Sequence, residues 1–156
     1  MLLKDRAWIA SHVPHAGTMC LLDEVLFWNA DRVRCASRAH RASDNPLRAH
    51  GRLGAACGIE FAAQAMAVHA ALLASAPQAF ARAGYLAGLR GVSINVTRLD
   101  DLAEDLVATA ERLSGNESTV LYGFTLSAGS RTLIRGRAIV ILDALTMSPS
   151  LTADCR

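Results

Sequence analysis

Residues 51–69 read GRLGAACGIEFAAQAMAVH, and the apolar run continues to Ala74 without a proline. Ala, Met, Leu and Gln are strong helix formers, so the stretch predicts one long α-helix. Ala56, Ala62, Ala63, Ala65, Ala67, Ala70 and Ala71 make it apolar nearly all round, which suits a helix wrapped by other structure more than one lying on a surface. A single acid, Glu60, interrupts it, and Gln64 follows at i+4 on the same face. Two readings of Glu60 stand side by side. It is a first-turn acid that complements the helix dipole, or it is a carboxyl desolvated among Ile59, Phe61, Ala62 and Ala63, with its pKa raised toward the range of a general acid. The second is preferred.

Upstream, residues 12–40 read HVPHAGTMCLLDEVLFWNADRVRCASRAH. This segment predicts a hairpin of two strands, about Leu21 to Trp28 and Arg32 to His40, turning at Asn29-Ala30-Asp31. Before it, Leu2 to Ala10 predicts a short helix that Pro14 and Ala16-Gly17 end. After it, Ser43 to Pro46 is a turn-rich loop; Pro46 cannot enter a regular ladder, so 44–52 runs irregularly to the helix. Downstream, Pro77 and Gly84 bracket a connection with room for one more helical turn. Four strands then follow, Tyr85 to Leu99, Asp105 to Leu113, Val120 to Ala128 and Thr132 to Leu142, as a meander with turns at Asp100-Asp101, Ser114-Gly115-Asn116 and Ala128-Gly129-Ser130. The alternation of Val92, Ile94 and Val96 with Ser93, Asn95 and Thr97 marks a half-buried antiparallel strand. The polar tail, about 148–156, is expected to fray. Two strands, one long helix and four strands form an α+β plan, a curved antiparallel sheet wrapped around one central helix.

The totals agree with one domain over 1–156, and 52% hydrophobic against 19% charged residues is apolar enough to suggest a buried subunit interface. A net charge of +2 with scattered arginines gives no nucleic-acid footprint. Cys20, Cys35, Cys57 and Cys155 have neither CxxC spacing nor a Cys/His metal set, so reduced thiols in a cytoplasmic protein are expected and no metal. The first residues, MLLKDRAWIASHV, carry early charges and no long apolar core, which argues against a signal peptide. With His69 and the polar breaks counted, no run is expected to reach transmembrane length, and no membrane partner is expected.

The segment VPHAGTMCLLDEV resembles the PH-x-x-P-x-LL-D-x-V signature of the hotdog-fold 3-hydroxyacyl-(acyl carrier protein) dehydratases, with Thr18 where proline is usual. GIEFAAQAMA resembles their E-x-x-x-Q helix segment, and YLAGLRGV the strand that follows. The likeness runs from about Val13 to Leu142 and is nearest to the dehydratases of aryl-polyene pigment clusters. It implies a hotdog fold and dehydration of 3-hydroxyacyl thioesters to 2-enoyl thioesters, in fatty-acid-like or polyene biosynthesis. The substrate would arrive on the phosphopantetheine of an acyl carrier protein, with no other cofactor. It also implies a dimer, either a homodimer or a hetero-oligomer with a related hotdog subunit.

In such enzymes a histidine removes the C2 proton, an acid on the central helix protonates the departing hydroxyl, and helix N-terminal amides hold the thioester oxygen. Carried over, Glu60 takes the acid's place and Gln64 orients it. The family's G-H-F-P motif is absent; the loop reads DNPLRAHGRL, which leaves His50 or Asn45 at the base position, with His50 preferred. His15, in the PH signature, is a further catalytic candidate, although a structural hydrogen bond is the preferred reading. Gly54 and Gly58 would let a thioester carbonyl approach backbone N–H groups. His69 falls on the helix face opposite Glu60 and reads as a satisfied core residue. His12 and His40 read as surface or strand-end residues, and Cys57 as a packing residue. Arg48, Arg52 and Arg90 are candidates for the carrier's phosphate and acidic surface. Two alternatives share the fold, a thioesterase in which Glu60 acts on water or the carbonyl, and a non-catalytic subunit completing a heteromeric dehydratase.

Overall fold

The computed structural model describes residues 3–74 and 84–142. The helical turn expected within 77–83, the tail and Cys155 lie outside them. Helix α1 (Arg6–His12) begins where the Asp5 carboxylate accepts a hydrogen bond from the Trp8 N–H at 2.9 Å, a capping contact that sets its start later than composition alone suggests. Strands β1 (Glu24–Trp28) and β2 (Arg32–Ser37) form the expected hairpin. Its turn is closed by the Asn29 side-chain oxygen, which accepts from the N–H groups of Asp31 and Arg32 at 2.9 and 2.8 Å. Residues 21–23 and 38–40, expected at the strand ends, lie outside the ladder.

Helix α2 (Gly58–Leu73) is entered through a 3-10 turn at Ala55–Cys57. Residues 51–54, expected inside the helix, instead form a turn tied down by Asp100, whose carboxylate accepts the Leu53 N–H at 2.9 Å. Arg98 holds that carboxyl well below the usual carboxylate range, with the Leu53 bond adding to the effect. After β3 (Gly84–Ile94) come β4 (Leu106–Gly115), β5 (Thr119–Ala128) and β6 (Arg131–Leu142). All ladders are antiparallel, in the order β1-β2-β4-β5-β6-β3. The four-strand meander expected downstream of the helix is therefore corrected. Only β4, β5 and β6 meander, while β3 leaves the helix, crosses to the far edge and pairs with β6. Strand periodicity reports which face a residue occupies and says nothing of neighbour order.

Helix α2 lies on one face of this sheet, against β2, β4 and β5. Phe61, Ala62, Ala65, Val68 and His69 point down, and Leu106, Ala108, Ala110, Val120, Tyr122, Phe124 and Leu126 come up to meet them. Burying a side chain such as Phe61, fully enclosed, stabilises by about 2 kcal/mol. Gly58 permits the close approach: a Cβ there would lie 2.6 Å from Ile134 Cδ1 and 2.7 Å from Leu126 Cδ2. The upper side of α2, with Ile59, Ala63, Ala67, Ala70 and Leu73, stays half-buried or exposed although it is apolar. Segment Ala55–Leu73 is 19 residues and apolar enough to cross a membrane by length and composition. This corrects the expectation that no run reaches that length; here the segment is packed on the sheet.

Candidate active site

Gln64 decides where the chain's signature segment goes. Fully buried, its side-chain oxygen accepts the Leu21 N–H at 2.9 Å, and its amide donates to the Met19 carbonyl at 2.7 Å and to Glu60 Oε1 at 3.1 Å. One amide thus fastens residues 19–21 to the helix and aims the carboxylate one turn away. The Ser37 hydroxyl donates to the Leu21 carbonyl at 2.5 Å, and Asp23 accepts the Arg38 N–H at 2.7 Å, so the LL-D part of the segment is also pinned to the end of β2. With 19–23 fixed, the chain just before it passes over the helix start. His15 lands on Glu60, with Nε2 3.1 Å from Oε1.

The structure therefore brings together Glu60, Gln64 and His15, and leaves the other candidates elsewhere. His50 sits exposed on a turn, held at φ 53. Asn45 is a buried loop staple: its amide donates to the Ala39 carbonyl at 2.7 Å and its oxygen accepts the Leu47 N–H at 2.9 Å. Gly58 faces Ile134 and Leu126, and Gly54 bridges to Arg98 with open space where a Cβ would stand. The Arg48 guanidinium donates to the Ala42 carbonyl at 2.9 Å, Arg52 is exposed, and Arg90 is on the opposite face of the sheet. His40, expected near the surface, is fully buried, with Nε2 3.1 Å from the Leu102 carbonyl, a position given it by the 3-10 turn at Ala39–Arg41.

The acid is the reverse of the one expected. Hydrogen bonding from His15 holds the Glu60 pKa below its ordinary value, and the bond from Gln64 works the same way; burial pushes upward but is outweighed. Glu60 is thus a carboxylate near neutral pH. Sequence composition shows the apolar flanks and the amide one turn away, while the donor with the larger effect, His15, arrives from far off in the chain. His15 and Glu60 remain 26% and 34% exposed at the side chain, which leaves both reachable. The buried His15 Nδ1 has no hydrogen-bond partner among the described residues.

From this pair an apolar cavity of about 220 Å³ runs between the upper side of α2 and the β5-β6-β3 end of the sheet. Ala63, Met66, Ala67 and Ala70 line one wall, and Tyr122, Val140, Tyr85 and Leu86 the other. Ala63, Met66 and Ala67 fall within GIEFAAQAMA and Tyr85 and Leu86 within YLAGLRGV, yet neither likeness singles them out as cavity walls, and Ala70, Tyr122 and Val140 lie outside both segments. Tyr122 ends in a buried relay: its hydroxyl lies 2.9 Å from His69 Nδ1, and His69 Nε2 lies 2.9 Å from the Asn29 carbonyl. A carbonyl only accepts, so the proton sits on Nε2. Burial lowers the His69 pKa and keeps the ring neutral, so Nδ1 accepts from the Tyr122 hydroxyl.

A long helix set on one face of an antiparallel sheet defines a hotdog-fold protein, and here a carboxylate and an imidazole meet over an apolar cavity. The profile of the ApeP-like family, described as ApeP dehydratase, matches residues 7–147, and the chain belongs to this dehydratase family. Among solved structures, it is similar to a chain of the dehydratase heterocomplex ApeI:P from Xenorhabdus doucetiae, with TM-score 0.78, 21% identity, and coverage of 89% of this chain and 95% of that one. It also resembles zebrafish thioesterase superfamily member 2, at TM-score 0.60 and 13% identity over 88% and 94% of the two chains. A thioesterase family protein from Silicibacter pomeroyi aligns at TM-score 0.55 and 16% identity over 75% and 81%. A comparison with curated proteins gives no match.

Proposed function

We propose that this chain eliminates water from 3-hydroxyacyl thioesters borne on the phosphopantetheine of an acyl carrier protein, giving 2-enoyl thioesters during assembly of a fatty-acid-like or polyene chain. The observation that carries the reading is the 3.1 Å contact between His15 Nε2 and Glu60 Oε1 at the mouth of an apolar cavity. Elimination needs a proton acceptor at C2 and a proton donor at the C3 hydroxyl, and two groups this close supply both. Glu60, as the carboxylate, takes the C2 proton. The C2–H electron pair forms the C2–C3 double bond, and the C3–O bond breaks. His15, when its ring carries both protons, protonates the departing hydroxyl through Nε2, and water leaves. Proton transfer from Glu60 back to His15 Nε2 restores the pair. Gln64 keeps the carboxylate aimed throughout.

A related hotdog subunit is the proposed partner. Two apolar surfaces adjoin the cavity and are left open by the described residues: the upper side of α2, and the edge strand β3 with Tyr85 46%, Leu86 37%, Leu89 39% and Ile94 44% exposed. Such edges invite strand pairing. The similar Xenorhabdus doucetiae structure is itself a heterocomplex.

The test is Glu60→Gln, assayed by mass spectrometry of carrier-bound product, with the chain alone and co-purified with a related hotdog subunit. Formation of 2-enoyl product should fall by about 10²–10⁴-fold in whichever assembly is active. Undiminished dehydration in the variant would remove Glu60 from the mechanism. Release of free thiol from the same substrates in place of 2-enoyl product would mean that the chain is a thioesterase.

A further inference from the structure

The face of the sheet turned away from α2 carries a pattern that the proposed chemistry does not use. The ladder registers align two rows of outward side chains across five strands. The first row is Arg32, Glu111, Gly123, Arg137 and Arg90; the second is Arg34, Thr109, Thr125, Arg135 and Ser93. Five of these ten are arginines and one is an acid. None of the five arginines is in an ion pair among the described residues, although Arg32 lies over the Phe27 ring at 5.6 Å. Arg90 and Arg137 stand directly opposite each other on β3 and β6. Like charges so placed destabilise a sheet.

The arginines stand in two banks. Arg32 and Arg34 are on β2; Arg135, Arg137 and Arg90 are on β6 and β3. Between them the floor carries the short side chains of Thr109 and Thr125 and the bare Gly123, with one acid, Glu111, outnumbered by the five arginines on the banks. Two depressions of about 440 and 530 Å³ meet there, sharing Thr109 and Thr125. Three strand spacings separate β2 from β6, about 14 Å at roughly 4.8 Å each. An α-helix with its side chains is about 10–12 Å across. Leu113, 47% exposed, lies in the trough beside Gly123 and offers an apolar contact.

We propose that this trough docks an acidic α-helix of a partner protein, laid along β4 and β5, with carboxylates on its two flanks meeting the two arginine banks. Guanidinium forks suit carboxylates, and a partner's negative charge offsets the repulsion between Arg90 and Arg137. A flat anionic surface would engage the tips of the banks and leave the floor unfilled. The site is on the other side of the sheet from His15 and Glu60, so it is independent of the dehydratase reading.

The probe is a fluorescein-labelled alanine-based helical peptide of about 18 residues, with Glu along both flanks and one central Leu, followed by anisotropy. It should bind, weaken as salt rises from about 50 to about 300 mM, and bind at least about tenfold less tightly to the Arg34→Gln/Arg137→Gln protein. Turnover of a soluble thioester should not change in that variant, since neither residue lines the cavity. The proposal is overturned if the peptide does not bind, if its Gln counterpart binds equally, or if the double variant binds as well as the parent. It is also overturned if phosphatidylglycerol vesicles or a short DNA duplex bind more tightly than the peptide. Arg137→Gln alone should leave the Tm of the free protein unchanged or raised; a fall would show that the arginine serves the fold.

Discussion

One histidine lines the cavity and another stands behind its Tyr122 wall, and their surroundings differ in kind. His69, on α2, is wholly enclosed, with one nitrogen donating to the Asn29 carbonyl and the other accepting from Tyr122. His15, on a loop, is partly open, faces a carboxylate with Nε2, and leaves Nδ1 without a partner among the described residues. Every polar atom of the first ring is satisfied by neutral groups that stay put, which is what a fold requires of a buried ring. The second ring is paired to a group that itself gains and loses protons, beside a space that a substrate can fill. Hydrogen-bond bookkeeping thus sets the two rings apart where sequence position does not.

The sharpest way to break the contrast is to exchange the consequences. His15→Asn should cost about 10²–10⁴-fold in turnover while leaving the unfolding free energy within about 1 kcal/mol, because the ring is not enclosed. His69→Ala should do the opposite. It leaves a cavity and strands the Asn29 carbonyl and the Tyr122 hydroxyl, for a loss of about 2–4 kcal/mol in denaturant unfolding, with turnover per folded molecule nearly intact. If His69→Ala were stable and inactive, the assignment of roles would be reversed.

A second measurement uses pH. Burial lowers the pKa of both His69 and His40 from the usual 6.5. Below pH 6.5 the unfolded chain takes up protons that the folded chain refuses, so their contribution to stability is present above 6.5 and is lost as pH falls toward the folded values. Each site contributes up to about 1.4 kcal/mol per pH unit. Denaturation midpoints should therefore drop between pH 7 and pH 5, and in His69→Ala the slope should be smaller. An unchanged slope would mean that the ring is charged within the fold. The smallest effect is reserved for Tyr122→Phe, which removes one donor and leaves His69 Nδ1 unmatched, for a loss of about 1 kcal/mol by urea unfolding. No loss would show that the hydroxyl contributes nothing to holding the ring.

Much of the fold is legible in the sequence. The alanine-rich run announces α2 because a helical period is a local constraint that side chains must obey; the alternation read at Val92, Ile94 and Val96 announces β3, although that strand ends at Ile94. The irregular stretch 44–52 follows from Pro46 for the same local reason. Strand order was not legible. Nothing local to residues 84–94 says that they pair with β6 at the far edge, since pairing is a contact between segments some fifty residues apart. The candidate site divides in the same way. Glu60 and Gln64 lie one helical turn apart, and any helix makes them neighbours. The imidazole has to be chosen among five histidines, and the preference for His50 rests on its place in the loop before the helix, where the family's motif would stand.

What the sequence by itself determined is the helix, its carboxylate, the amide beside it and the resemblance that named the class of chemistry. What only the tertiary structure decided is which histidine meets that carboxylate and in which protonation state the acid rests. The reason is physical. Gln64 spends its hydrogen bonds on Met19 and Leu21, and that long-range clamp carries His15 onto Glu60. The hydrogen bond that does most to lower the carboxyl's pKa, from His15, exists only once the clamp has closed.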